Sequence, residues 1–174
     1  MKNITYPLIF IAVLLAAARQ QAFAQFQKGD KLLNIGLGVG NYENSAPFHA
    51  SFEYAFGNYF SAGVQTDVYS YRYGPGDAYR TSFPTALRAS YHYGKHFVRD
   101  KRLDLYGGAA LGILSASHYD RWPDRHPKHF VGDGGGPTVG LYAGAKYLFT
   151  PGFGLFAEAG HNISWLKLGV AFRF

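Results

Sequence analysis

The sequence predicts an all-β fold, an eight-stranded antiparallel transmembrane barrel wound as an up-and-down meander, and three observations predict it. Past residue 25 no window keeps apolar residues at i, i+3, i+4 and i+7 for three turns, whereas apolar–polar alternation recurs between turn-forming clusters. Charged residues make up only 16% of the 174 residues and aromatics 18%, too little charge to coat a domain that faces water all round, where about 25% is usual. Within each alternating run one parity is apolar and the other is small, polar or ionic, as a strand with two different environments requires.

Taken in order, the first element is not part of the fold. Met1-Lys2-Asn3 is a short positive start, Leu8 to Ala18 is unbroken apolar sequence, and Ala22-Phe23-Ala24 is an A-x-A cleavage signature before Gln25. Residues 1–24 therefore read as a secretory signal peptide, and residues 25–174 as one barrel domain. A membrane-spanning helix needs roughly 20 apolar residues, and Arg19-Gln20-Gln21 interrupts the run too early. Cleavage removes Lys2 and Arg19 and no acid, so the net charge of +6 falls to +4. With no Cys there is no disulfide framework, no thiol nucleophile and no lipid attachment site.

Eight strands are expected at 31–41, 48–56, 59–72, 81–93, 103–115, 137–149, 153–161 and 164–174. Most are long enough to cross a bilayer, which takes roughly 9–11 tilted residues. One parity carries Leu33, Ile35, Leu37 and Val39, then Phe48, Phe52 and Tyr54, Val64, Leu87, Leu111, Val139, Leu141, Leu155 and Leu168. The other carries Asn34, His49, Ser51, Glu53, Gln65, Asp67, Arg88, Ser90, His92, Asp104, Tyr106, Tyr142, Lys146, Glu158, Trp165, Lys167 and Arg173, spaced by glycine. As a water-facing coat the second set is poor. As the filling of a narrow eight-stranded tube it is reasonable, because glycine leaves room for tyrosine and paired charges. Aromatics gather at strand ends in two groups, around Tyr54, Phe56, Tyr59 and Phe60 near short turns and around Tyr42, Phe48, Tyr69 and Phe83 near longer loops, as interfacial girdles do. An ordinary sandwich core explains the alternation but neither the girdles nor the missing charge.

The connections alternate between tight turns, at Gly57-Asn58 and Thr150-Pro151-Gly152, and longer loops, chiefly His118 to Gly136. The connection at His161-Asn162 is short although it falls on the long-loop side.

Signal peptide, eight alternating strands over the whole mature chain and a terminal Leu166-x-Leu168-x-Val170-x-Phe172-x-Phe174 run resemble the small bacterial outer-membrane β-barrel proteins of the OmpA membrane domain and OmpX type. The resemblance implies an outer-membrane location, and it makes the terminal run a C-terminal assembly signal read by the barrel-assembly machinery. The Tyr- and Gly-rich strands are most similar to outer-membrane barrels of the Bacteroidetes group.

The proposed lumen holds four acids, Glu53, Asp67, Asp104 and Glu158, and four bases, Arg88, Lys146, Lys167 and Arg173, a balance that argues for pairing. Folding the hairpins about their turns sets Asp67 near Arg88, His92 near Asp104, and Glu158 between Lys146 and Lys167. The structural reading is a plugged tube. Its rival is a narrow gated conduction path lined by Arg88 and the Lys146/Glu158/Lys167 group.

Other chemistry is weaker. His49, Ser51 and Glu53 are the residue types of a lipid A-modifying hydrolase, but along one strand they stand about 7 Å apart per step, too far for a nucleophile–base hydrogen bond. In the loop 118–136, His118, Asp120, Asp124, His126, His129 and Asp133 could bind a divalent ion, but Arg121, Arg125 and Lys128 lie between them and oppose a cation. Tyr119, Arg121, Trp122, Arg125 and Phe130 suit recognition of an acidic saccharide, a lipopolysaccharide phosphate or a protein. Basic residues are too scattered for nucleic acid, and Gly36-x-Gly38-x-Gly40 lies in a strand rather than in a phosphate loop. The expected protein is a monomeric, non-enzymatic, cofactor-free outer-membrane barrel. Its partners would be outer-membrane lipid and lipopolysaccharide, with a structural role or an adhesive one toward an extracellular ligand or host surface.

Overall fold

The computed structural model describes residues 26–40, 45–72, 79–119, 136–161 and 164–174. The segment read as a signal peptide lies outside the described residues, as does most of the 118–136 loop. Eight strands follow in order: β1 (Lys31–Val39), β2 (Phe48–Ala55), β3 (Phe60–Arg72), β4 (Tyr79–Tyr91), β5 (Leu103–Tyr119), β6 (Gly136–Thr150), β7 (Phe153–His161) and β8 (Leu166–Arg173). Each pairs antiparallel with its chain neighbour, and β1 pairs with β8, so the sheet closes with no free edge. The observed limits agree with the expected ones to within a few residues; β5 is longer and β8 starts later. Between β4 and β5 a single turn of 3-10 helix, Tyr93–His96, leads into an exposed turn.

The alternation sets what faces where. Asn34, Ser51, Glu53, Ser61, Gln65, Asp67, Arg88, Ser90, Tyr106, Lys146, Glu158 and Lys167 are buried inside the tube. Leu87, Val139, Leu141, Leu111 and Ile113 are each more than 60% exposed on its outside. This is the reverse of a water-soluble protein, whose charges face out. Aromatics cluster outside at the short-turn end, where Phe60 lies against Phe56 and Tyr91, and Phe153 against Phe149 and Phe172. No described helix is long and apolar enough to cross a membrane. Strands are the elements of membrane length here.

Two local features adjust how neighbouring strands fit together. Tyr106 on β5 stands opposite Gly144 on β6, and Gly108 stands opposite Tyr142. A Cβ at Gly144 would sit 2.5 Å from Tyr106 Cζ, and one at Gly108 would sit 2.5 Å from the Tyr142 hydroxyl. Each ring thus occupies the space its cross-strand neighbour lacks. On β4, Pro84 has no N–H for the ladder. The β3–β4 register has no pairs between Thr66↔Thr85 and Tyr69↔Ser82, and the Thr66 hydroxyl donates to the Pro84 carbonyl at 3.3 Å.

One assignment of faces is corrected. Trp165, placed by parity in the lumen, is 56% exposed outside, while Ser164 is the buried residue. β8 begins only at Leu166, so Trp165 lies in a bend that the strand alternation does not govern, and its ring packs against His161.

Candidate functional site

Many of the polar residues of the lumen form a connected series. Arg88 is its centre: Nη2 donates to Glu158 at 2.8 Å, Nη1 to Gln65 at 3.1 Å, and Nε lies 3.2 Å from Glu53. The guanidinium reaches Glu53, two strands away, because Gly63 stands between them in register with both. Its other face lies 4.2 Å from the centre of the Tyr142 ring. Glu53 accepts from Ser61 at 2.7 Å and from Ser90. Glu158 accepts from Tyr106 at 3.3 Å and lies 3.7 Å from Lys167, which lies 3.6 Å from Asp67. Asp67 in turn meets His49 Nδ1 at 2.9 Å.

Of the pairings expected from hairpin geometry, His92 with Asp104 is present at 2.8 Å, and Glu158 does meet Lys167. Two differ. Asp67 does not pair with Arg88, because in the β3–β4 register Arg88 stands opposite Gly63, four residues away, and Asp67 turns to its β2 partner His49. Lys146 does not join Glu158: in register it stands opposite Asp104 on β5 and Phe156 on β7. Arg173 is at the mouth, donating from Nε to the Pro151 carbonyl at 2.9 Å, with Nη1 4.0 Å from Asp30.

The residues considered for hydrolysis are not brought together. Ser51 accepts from Asn34, His49 meets Asp67, and Glu53 takes Ser61, Ser90 and Arg88. A different serine–histidine–aspartate series does occur, Ser61 Oγ at 3.0 Å from His92 Nε2 and His92 Nδ1 at 2.8 Å from Asp104. Its members come from separate segments of the chain, so no local motif in the sequence announces it. It is not arranged for attack, because the single Ser61 proton is donated to Glu53, leaving Ser61 an acceptor toward His92. Phe26 lies flat on the His92 ring, centroids 3.5 Å apart, and both side chains are buried.

Phe26 belongs to a short strap, residues 26–30, that lies at the short-turn mouth. Gly29 N–H donates to the Ala55 carbonyl, Ala55 N–H to the Asp30 carbonyl, and Gln27 N–H to the Asp30 carboxylate. Phe26, Leu32 and Ala55 form a small apolar plug there. Lys95 Nζ sits 5.9 Å from the Phe26 ring and donates to the Asn58 carbonyl, and partial burial lowers its pKa. At the exposed rim, the Arg102 backbone N–H and guanidinium hold the Asp100 carboxyl below its usual range.

Of the loop residues singled out for recognition, Tyr119 ends β5, and Arg121, Trp122, Arg125 and Phe130 lie outside the described residues. The terminal Leu166, Leu168, Val170 and Phe172 lie on β8, and Phe174 continues the seam by exchanging backbone hydrogen bonds with Lys31. Among the described residues no cluster of three or more His, Asp or Glu could hold a metal ion.

The sequence matches no protein-family model and no curated protein. The fold does match solved structures. The N-terminal β-barrel domain of Pseudomonas aeruginosa OprF aligns with a TM-score of 0.54 at 21% identity, over 86% of this chain and 100% of that one. The outer membrane protein OprG of Pseudomonas aeruginosa aligns with a TM-score of 0.59 at 12% identity, over 86% and 98%. Ail, the attachment invasion locus protein of Yersinia pestis, in complex with the heparin analogue sucrose octasulfate, aligns with a TM-score of 0.55 at 15% identity, over 85% and 100%. The chain therefore has the fold of small eight-stranded outer-membrane barrels.

Proposed function

We propose that this chain is an integral outer-membrane barrel whose lumen is closed by its ionic series and which serves as a rigid, non-enzymatic anchor for surface loops. The observation that carries this reading is the inverted polarity of a closed barrel: leucine and valine outside, more than 60% exposed, and arginine, lysine and glutamate buried inside. Only hydrocarbon around the tube makes that distribution favourable. Residues 1–24 direct export, and Leu166, Leu168, Val170, Phe172 and Phe174 are the signal for the assembly machinery. Closure follows from Arg88, which ties β4 to Glu53 on β2 and to Glu158 on β7, spanning the interior where a conduction path would run. The barrel works as a monomer.

The adhesive role rests on the 118–136 loop, in which Tyr119, Trp122 and Phe130 alternate with Arg121, Arg125 and Lys128. That composition suits a sulfated or phosphorylated saccharide, by stacking and by paired guanidinium contacts. The complex of Ail with a heparin analogue is an instance of a barrel of this fold taking a polyanionic sugar.

The test is made on the mature protein refolded in detergent and in vesicles. Slower or faster gel migration in unboiled samples, with no single-channel conductance and with retention on immobilised heparin that is lost when 120–135 are replaced by a short Gly-Ser linker, is the expected result. Steady conductance abolished by Lys146→Ala replaces the closed scaffold with a channel. Solubility without detergent overturns the membrane reading altogether.

A further inference from the structure

Among the described residues the Lys146 side chain has no hydrogen-bond acceptor. It is 3% exposed, points into the lumen near the short-turn mouth, and its ammonium makes no hydrogen bond among the described residues. Its register neighbour Asp104 is the acid that would pair with it, but both Asp104 oxygens are turned to His92 Nδ1, at 3.0 and 2.8 Å. Glu53 is engaged by Ser61, Ser90 and Arg88. What Lys146 does have is the Tyr106 ring, 4.7 Å from Nζ. Three strong donors held in a buried site are unfavourable unless something accepts from them.

Lys146 is also among the residues lining a recess that opens at the short-turn rim. Lys101, Arg102 and Arg173 share its wall, with Asp104 the one acid among the lining residues and Leu32 and Phe26 forming an apolar side. Lys101 and Arg102 are exposed, so the recess runs from an accessible cationic rim to a buried cationic end. Such a wall with excess positive charge concentrates anions, and guanidinium and ammonium groups together match an oxyanion with several acceptor oxygens.

We propose that this recess binds a phosphate group, free or carried on a lipid, with Lys146 as the inner donor and Lys101 and Arg102 as the rim that admits it. The site is separate from the loop surface invoked above, and either reading can fail without the other. Binding places acceptor oxygens where Lys146 now has none, and Arg102 can turn inward from its solvent-exposed pairing with Asp100.

The probe is inorganic phosphate, titrated at constant ionic strength into the mature protein in a maltoside detergent free of phosphorus, and followed by calorimetry and by phosphorus NMR line width. Saturable binding is expected, weakened about tenfold or more by Lys146→Met and severalfold by the rim variant Lys101→Gln/Arg102→Gln. Lys146→Met removes the charge and keeps the chain length, and its unboiled gel mobility reports whether it folds; if it does not fold, the rim variant decides. A second arm uses phosphatidylcholine vesicles with and without phosphatidic acid. Lys146-dependent retention of phosphatidic acid without free phosphate binding identifies the lipid as the source. No binding in either arm, or binding that both variants leave within twofold of the original, overturns the proposal.

Discussion

Arg88→Met tests whether the lumen series carries the fold. The arginine side chain and Glu53 are fully buried, and Glu158 is 2% exposed, so the substitution leaves two carboxylates facing a dry interior. Neither is wholly abandoned: Glu158 keeps Lys167 at 3.7 Å and the Tyr106 hydroxyl at 3.3 Å, and Glu53 keeps the Ser61 and Ser90 hydroxyls. Breaking a buried pair costs about 3–5 kcal/mol because of the charge left behind, and the surviving contacts put this site at the lower end, about 3 kcal/mol. That is a shift of roughly a hundredfold in the folding equilibrium. The assay is guanidinium unfolding in detergent, read by fluorescence of the outward-facing Trp165 and by gel mobility of unboiled samples. Adding Glu53→Gln to Arg88→Met removes one stranded charge and returns part of the loss. A change under about 1 kcal/mol, the size expected of a solvent-exposed pair, or a double variant no more stable than the single one, refutes the reasoning.

Gly144→Val drives a side chain into the Tyr106 ring and costs about 1–3 kcal/mol in the same assay, partly recovered by Tyr106→Ala. Phe26→Ala uncovers His92 and costs about 3–5 kcal/mol; diethylpyrocarbonate labelling of His92 should speed up, and unchanged labelling would mean the stacked ring is no cover. Leu87→Arg, on the most exposed part of the outer belt at 69%, should lower stability in lipid vesicles by about 2–4 kcal/mol. Little effect there would place Leu87 away from the hydrocarbon. Asp100→Asn should leave unfolding unchanged at neutral pH, since both partners of that ion pair are exposed.

What could be read from the chain was whatever alternation controls. Parity separates Glu53, Arg88 and Glu158 from Leu87, Val139 and Leu155, and the faces follow because a strand has a period of two. Residues that flank one connection at the strand ends also come out as neighbours, which is how His92 and Asp104 lie close together, twelve residues apart in sequence. Register deeper in a strand pair is a different matter. Asp67 and Arg88 lie away from the β3–β4 connection, so the offset between them is decided by the ladder, which keeps one register on both sides of Pro84. Contacts across the tube, such as Arg88 with Glu158 seventy residues later, depend on closure and leave no trace in local pattern. Trp165 and Phe26 escape for the same reason: each lies just outside a strand, where parity has nothing to say.

The β1–β8 seam has a consequence for how the molecule comes into being. Lys31 and Phe174 exchange backbone hydrogen bonds, so the first strand finds one of its two neighbours only when the eighth has been synthesised. Every partly built intermediate has two open borders of unpaired N–H and C=O groups, and hydrocarbon offers them no partner. Strands therefore do not enter lipid one at a time. All eight have to be kept extended and apart from other chains while still in water or at the interface, and the passage inward coincides with the closing of the ring. The pairing of greatest sequence separation, between the first and the eighth strand, is the one on which membrane entry depends.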